Sequence, residues 1–174
     1  MHILSLSEIP SPRYKLETAE RIFFEASSKK TFSSNEEREA FRRRYFAVYA
    51  DRDPEWFLLA LDDSDQVLGY LAGTPSTRED HLSLNPYLES FRAVIGEFPA
   101  HLHINFCQSA RGLGLGSRLL EDFERRLKAH SVTGVHLVTG AKERNVGFYA
   151  RNGYGEASRL RIGASELVFL GKRL

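Results

Sequence analysis

The chain is poor in cysteine, in net charge and in long apolar runs. Its one cysteine, Cys107, excludes an internal disulfide framework and any cysteine-rich zinc site, and suits a reducing compartment, the cytoplasm by default. The 24 lysines and arginines nearly cancel the 23 aspartates and glutamates, leaving a net charge of +1. No global field of one sign then draws the molecule to nucleic acid or a membrane surface, so any partner is recognised locally. The opening stretch, MHILSLSEIPSPRYK, has no charged segment leading into a long apolar one. No other segment approaches the roughly 20 apolar residues that span a bilayer. Repeats, linkers and low-complexity tracts are also missing, which leaves one domain over residues 1–174 as the expectation.

What is present is a 42% hydrophobic chain in which helical and strand-like periods alternate. Residues 2–7 alternate like a short strand that Pro10 and Pro12 end, and Leu16, Ala19, Ile22, Phe23 and Ala26 form a helical stripe over 14–26. Ser34 or Asn35 can cap a second helix through about Ala50, with Phe41, Tyr45, Phe46 and Tyr49 as its apolar face. Arg42, Arg43 and Arg44 on that helix suit either a solvated face, with Arg42 or Arg43 paired to Glu39 at helical spacing, or an acidic-ligand site. EWFLLALD (55–62) and QVLGYLAGT (66–74) read as a hairpin around DSD, and NPYLESFRAVIG as a proline-started helix. HLHINF (101–106) is strand-like, 117–130 is the clearest amphipathic helix, and GVHLVTG (134–140) is again a strand. ERNVGFYARNGY reads as a helix stopped at Asn152-Gly153, and ELVFL (166–170) as the last strand. The order is mixed αβ.

Between the strand at 101–106 and the helix at 117 stands RGLGLGS, with three glycines in seven residues. The first N–H groups of a helix lack intrahelical acceptors, the dipole adds partial positive charge, and glycines let an anion approach the backbone. A phosphate cradle and a plain turn with Gly112 or Gly114 at positive φ both fit. A P-loop is excluded because no Lys-Ser or Lys-Thr pair follows. The dinucleotide fingerprint fails because the glycines stand at 112, 114 and 116, and the next strand does not end in an acidic residue.

Arg111-x-x-Gly114-x-Gly116 after a strand, then an amphipathic helix, another strand, and Phe148-Tyr149 ahead of Gly153-Tyr154, resembles the GNAT acyltransferases. Motif A of that family reads [QR]-x-x-G-x-[GA]. The resemblance is strong over 101–155, moderate over the preceding hairpin, and one of order alone in the N-terminal helices. HLHIN and the aromatic insert before it are similar to the acetyltransferase-like domain fused to some O-GlcNAc hydrolases. The resemblance implies an α/β (α+β) fold with a mixed sheet of six or seven strands, a splayed central strand and about four flanking helices. It implies acetyl-CoA as acyl donor and direct attack by a primary amine, on a small molecule or a peptide, in a ternary complex. The backbone of Arg111, Gly112, Leu113, Gly114, Leu115 and Gly116, with Ser117, would hold the coenzyme A pyrophosphate. Ile104, Asn105 and Phe106 would pair with the pantetheine arm and the acetyl carbonyl. Phe148 and Tyr149 would adjoin the cofactor, with Tyr149 protonating the departing thiolate. An asparagine that the family often carries seven residues before that tyrosine is Lys142 here; nearby Asn145 serves either the cofactor or the helix start.

The attacking amine must lose a proton, since an amine of pKa about 10.4 is ammonium at neutral pH. His103 on the central strand is the candidate base, with Glu97 or a water relay as alternatives and a structural histidine as the plain reading. Histidines 101, 103 and 136 have no carboxylate or thiol at a metal-ligand spacing, so no metal is expected. A non-catalytic module that keeps the coenzyme A cradle or only its shape is the rival reading, and a longer acyl chain a further one. A monomer or a homodimer fits equally.

Overall fold

A computed structural model describes residues 1–174. Seven strands form its sheet: β1 (His2–Ser5), β2 (Phe57–Leu61), β3 (Val67–Thr74), β4 (Ala100–Phe106), β5 (Gly134–Gly140), β6 (Gly155–Ile162) and β7 (Ser165–Arg173). Their order is β1-β2-β3-β4-β5-β7-β6. Neighbours run antiparallel at β1–β2, β2–β3, β5–β7 and β6–β7. At β4–β5 they run parallel, Ala100 and His101 matching Val135 and His136. This is the mixed, helix-flanked sheet that the family resemblance implied, with the higher of the two strand counts. The chain divides into two compact units, Met1–Thr74 with His103–Phe123, and Pro75–Leu102 with Glu124–Leu174.

In the first unit α1 (Arg13–Ala26) and α2 (Asn35–Arg42) follow the expected stripes, and Ser34 caps α2 by accepting from the Glu37 N–H at 3.2 Å. The helix does not stop at Arg42. It widens into a π-helical stretch over Arg43–Ala47 and resumes as α3 (Val48–Arg52). Phe46 is fully buried against Phe23, Phe57 and Tyr70, while Tyr45 and Tyr49 sit against the ring of His103. Arg42 pairs with Glu39 at helical spacing, as the solvated-face reading expects, and also reaches Glu20 on α1 in a half-buried bridge. The β2–β3 hairpin turns on Asp62, whose Oδ1 accepts from the N–H groups of Ser64 and Gln66, both at 2.9 Å, with Asp65 left-handed at φ 64°. All five residues of β2 are buried, each leucine contributing about 1.5–3 kcal/mol. The N-terminal strand ends two residues earlier than its alternation suggests, because Glu8 bonds the N–H and hydroxyl of Ser5 and bends 6–8 into a 3₁₀ turn.

The second unit holds the insert and the C-terminal strands. The insert is three short helices: α4 (Glu79–Leu84), where no helix was expected, then α5 (Pro86–Glu89) and α6 (Arg92–Ile95) in place of the single proline-started helix expected over 85–96. Asn85 caps α5 by accepting from the N–H groups of Tyr87 and Leu88, and the helix ends at Ser90, whose hydroxyl bonds back to the carbonyl of Pro86. Leu82, Leu88, Phe91, Ile95, Phe98 and Phe169 form its core. The strand β6 was not expected. Its eight residues, GEASRLRI, have no buried member, and Arg159 pairs with Glu156 and Glu166. An edge strand with charges on it lacks the apolar alternation by which strands are read, and those charges discourage pairing with another chain.

Candidate functional site

The glycine turn belongs to the first unit. Beyond β4 the chain makes a 3₁₀ turn (Gln108–Ala110) and reaches α7 (Leu115–Ala129) through Arg111, Gly112, Leu113 and Gly114. Gly112 and Gly114 are both left-handed, at φ +78° and +74°. An added Cβ at either would meet nothing within 4 Å, so conformation and not crowding requires glycine here. The expected plain turn is therefore real, and its outer surface is also open. Residues 111–114 are exposed, Leu113 at 66%, while Leu115, Gly116 and Ser117 are half-buried in the first helical turn. That helix starts two residues earlier than its apolar stripe shows. The Arg111 side chain folds back, its Nε donating to the carbonyl of Phe106 at 3.0 Å, which ties the turn to the end of β4.

Immediately upstream, His103 and Asn105 lie two apart on β4 and each meets a buried tyrosine. His103 Nε2 is 3.1 Å from the hydroxyl of Tyr49, and the Asn105 amide donates to that of Tyr70 at 2.8 Å. The rings of Tyr45 and Tyr49 stand edge-on to His103, with centroids at 5.5 and 5.4 Å. Ile104 is half-buried and Phe106 buried. An added Cβ at Gly69 would sit 2.3 Å from the Phe106 ring and 2.7 Å from the Asn105 carbonyl, so glycine lets β3 lie close against this strand. Tyr49 and Tyr70 carried no signal as polar partners, since their spacing reads only as an apolar face and a strand interior.

In the second unit α8 (Asn145–Arg151) carries Phe148 and Tyr149. Its end is a Schellman turn: Tyr154 N–H bonds to the Tyr149 carbonyl and Gly153 N–H to that of Ala150, both at 3.1 Å, with Gly153 at φ +85°. The rings of Tyr149 and Tyr154 clasp across it at 5.6 Å. The Phe-Tyr and Gly-Tyr spacing thus has a local structural cause. Tyr149 is 3% exposed, and burial pushes its phenol above the ordinary tyrosine value. Asn145 is the first residue inside α8, not its cap, and its Oδ1 accepts from the Thr139 hydroxyl at 3.0 Å. Phe148 is half-buried, edge-on to Tyr149, and Lys142 is exposed. Glu97 is exposed and paired with Arg173. His101 is buried, its Nδ1 donating to Thr77 Oγ1 at 2.7 Å, because that hydroxyl already donates to the Pro99 carbonyl. His136 Nδ1 donates to the Phe98 carbonyl at 2.6 Å.

A seven-stranded mixed sheet in this order, with a left-handed glycine turn opening the helix after β4, is the fold of the GNAT acetyltransferases. The model of the acetyltransferase (GNAT) family matches residues 17–154, and the chain belongs to that family. Solved structures share the fold at low sequence identity. The crystal structure of SsHAT is 22% identical, with 99% of this chain and 97% of that one covered and a TM-score of 0.74. A ribosomal-protein-alanine N-acetyltransferase from Brucella melitensis is 20% identical over the whole of both chains, with a TM-score of 0.63. The NatC complex bound to Gag peptide and CoA is 12% identical, covering 100% of this chain and 99% of that one at a TM-score of 0.66.

Proposed function

We propose that residues 1–174 form one acetyl-CoA-dependent N-acetyltransferase domain, acting on a primary amine of a small molecule or a peptide by direct attack in a ternary complex. The observation that carries this is the turn at Arg111–Gly114. Two left-handed glycines with open space over them lead straight into the 15-residue helix α7, where main-chain N–H groups await an anion. A diphosphate fits such a donor set. The donor supplies an activated acetyl group, as a thioester, and every other element of catalysis belongs to the chain. The backbone from Arg111 to Gly116, with Ser117, holds the pyrophosphate; the Arg111 side chain braces that backbone through Phe106. Ile104, Asn105 and Phe106 present the backbone of β4 to the acyl arm, with Asn145 and Phe148 as further cofactor contacts. His103 accepts the amine proton, its ring steadied by Tyr49 and Tyr45. Tyr149 gives a proton to the leaving thiolate. Its raised pKa keeps the phenol protonated throughout the working range.

N-acetylation and CoA are named for two of the structures that share the fold, which supports the same chemistry here. A cytoplasmic protein, monomeric or homodimeric, that binds neither nucleic acid nor membrane fits the charge balance, and no helix is long and apolar enough to cross a membrane. Lys142 where the family often has asparagine, and the absence of an acidic residue on 101–106, would favour a module that binds without turnover. Membership of the acetyltransferase family, and the N-acetyltransferase named among the structures that share the fold, favour catalysis instead.

Titration with acetyl-CoA by calorimetry, followed by a panel of amines with thiol release as the readout, tests the proposal. Binding and turnover on at least one amine are expected. No binding would overturn it, and binding without turnover on any amine would favour the module.

A further inference from the structure

The polar group around the end of α8 is unused by the chemistry above, and it lies wholly within the second unit. Lys172 on β7 sends its side chain across the Asn152-Gly153 turn. Its Nζ donates to the Asn152 carbonyl at 2.8 Å and to Glu124 Oε2 at 2.6 Å. Its Cε lies 3.3 Å from where a Cβ of Gly153 would be, and its ammonium stands 5.6 Å from the centre of the Tyr154 ring. One side chain therefore touches three consecutive residues of the Schellman turn and anchors them to α7.

Stability is a poor explanation for this arrangement. Glu124 is 6% exposed, its Oε1 has no hydrogen-bond partner, and neither has the buried hydroxyl of Tyr154. Buried ion pairs with unpaired atoms cost desolvation free energy that apolar residues of the same size would not. What the arrangement gives is geometry. A cation at a helix C-terminus meets the carbonyls left without partners. The carbonyl that closes the turn onto Tyr154 N–H is that of Tyr149 itself, whose ring the Tyr154 ring covers. The Tyr154 phenol is pushed up first by burial and then by the neighbouring Glu124 side chain.

We propose that Lys172, held by Glu124, is a positioning residue for Tyr149, fixing the last turn of α8 so that the Tyr149 phenol keeps one orientation. This rests on the reading of Tyr149 as proton donor. The test uses the full chain with Lys172→Met, Lys172→Arg, Tyr149→Phe and the Lys172→Met/Tyr149→Phe double variant. Acetyl-CoA affinity is read by calorimetry, kcat and KM by amine acetylation, and the exchange of the Gly153 and Tyr154 amides by hydrogen–deuterium exchange. Lys172→Met should lower kcat about tenfold with acetyl-CoA affinity unchanged, speed exchange of both amides, and add nothing in the Tyr149→Phe background. Lys172→Arg should stay within threefold of the parent. If Tyr149→Phe lowers kcat but Lys172→Met does not, or if the two losses multiply, the positioning role is wrong. If Tyr149→Phe leaves kcat unchanged, the proton-donor reading fails, and the positioning role with it. Should Lys172→Met not fold, Glu124→Gln must reproduce the kcat loss and faster exchange, and its failure to do so overturns the proposal.

Discussion

At the scale of single residues, Tyr149 and Tyr154 show how burial decides what a phenol can do. Both are pushed above the ordinary tyrosine pKa of about 10, Tyr149 by burial and Tyr154 by burial first and by the Glu124 charge second. A raised pKa makes Tyr149 a weaker acid but guarantees that it carries its proton, so position must supply the rest. Tyr149→Phe should lower kcat on the order of 100-fold and leave acetyl-CoA affinity within about twofold, checked by steady-state kinetics beside calorimetry. The same shifts bear on stability. The folded state holds these protons more tightly than the unfolded state, so their contribution is complete below about pH 10 and falls as pH rises beyond it. Thermal melting followed between pH 8 and 11 should show a decline above about pH 10. Tyr154→Phe, which removes one of the two phenols, should shallow that decline, and an equally steep fall would place the alkaline sensitivity elsewhere.

Elements differ in how openly the sequence declares them. The amphipathic period of α7 and the DSD turn between β2 and β3 were legible, because one buried face or one turn residue dominates each. β6 was not, since Arg159 and Arg161 point along an exposed edge where no apolar alternation is needed. The proline-started helix of the insert broke in two at Ser90, whose hydroxyl bonds back to the Pro86 carbonyl, a local competition that apolar spacing does not display. In the candidate site the glycine turn could be read at once, as positive φ demands a residue type. The tyrosine hydroxyls beside His103 and Asn105 could not, because tertiary packing alone brings residues 54 and 35 positions away to them. Since Gly112 and Gly114 are required by conformation, Gly114→Val should cost about 1–2 kcal/mol from backbone strain and abolish acetyl-CoA binding together. Denaturant unfolding measures the first effect and calorimetry the second. Retained affinity in a folded variant would mean that the pyrophosphate lies elsewhere.

For the whole molecule, cooperativity is the property that joins fold to function. The boundaries between the two compact units fall inside regular elements: Leu102 and His103 are neighbours in β4, and Phe123 and Glu124 in α7. A helix propagates cooperatively once nucleated, so half of α7 has no independent reason to survive the loss of the other half. The chain should therefore melt in a single calorimetric transition with equal van't Hoff and calorimetric enthalpies. Ligand binding sharpens this. Acetyl-CoA at about 100 times its dissociation constant should add roughly 2.7 kcal/mol, which for 174 residues is a rise in Tm of roughly 5–10 °C. The proposed cradle belongs to the first unit and Tyr149 to the second, so scanning calorimetry with and without acetyl-CoA separates two outcomes. One transition that moves as a whole means that donor binding stabilises the unit bearing Tyr149 along with the cradle. Two transitions of which only one moves would show that the units unfold separately, and would overturn the assignment of residues 1–174 to one domain.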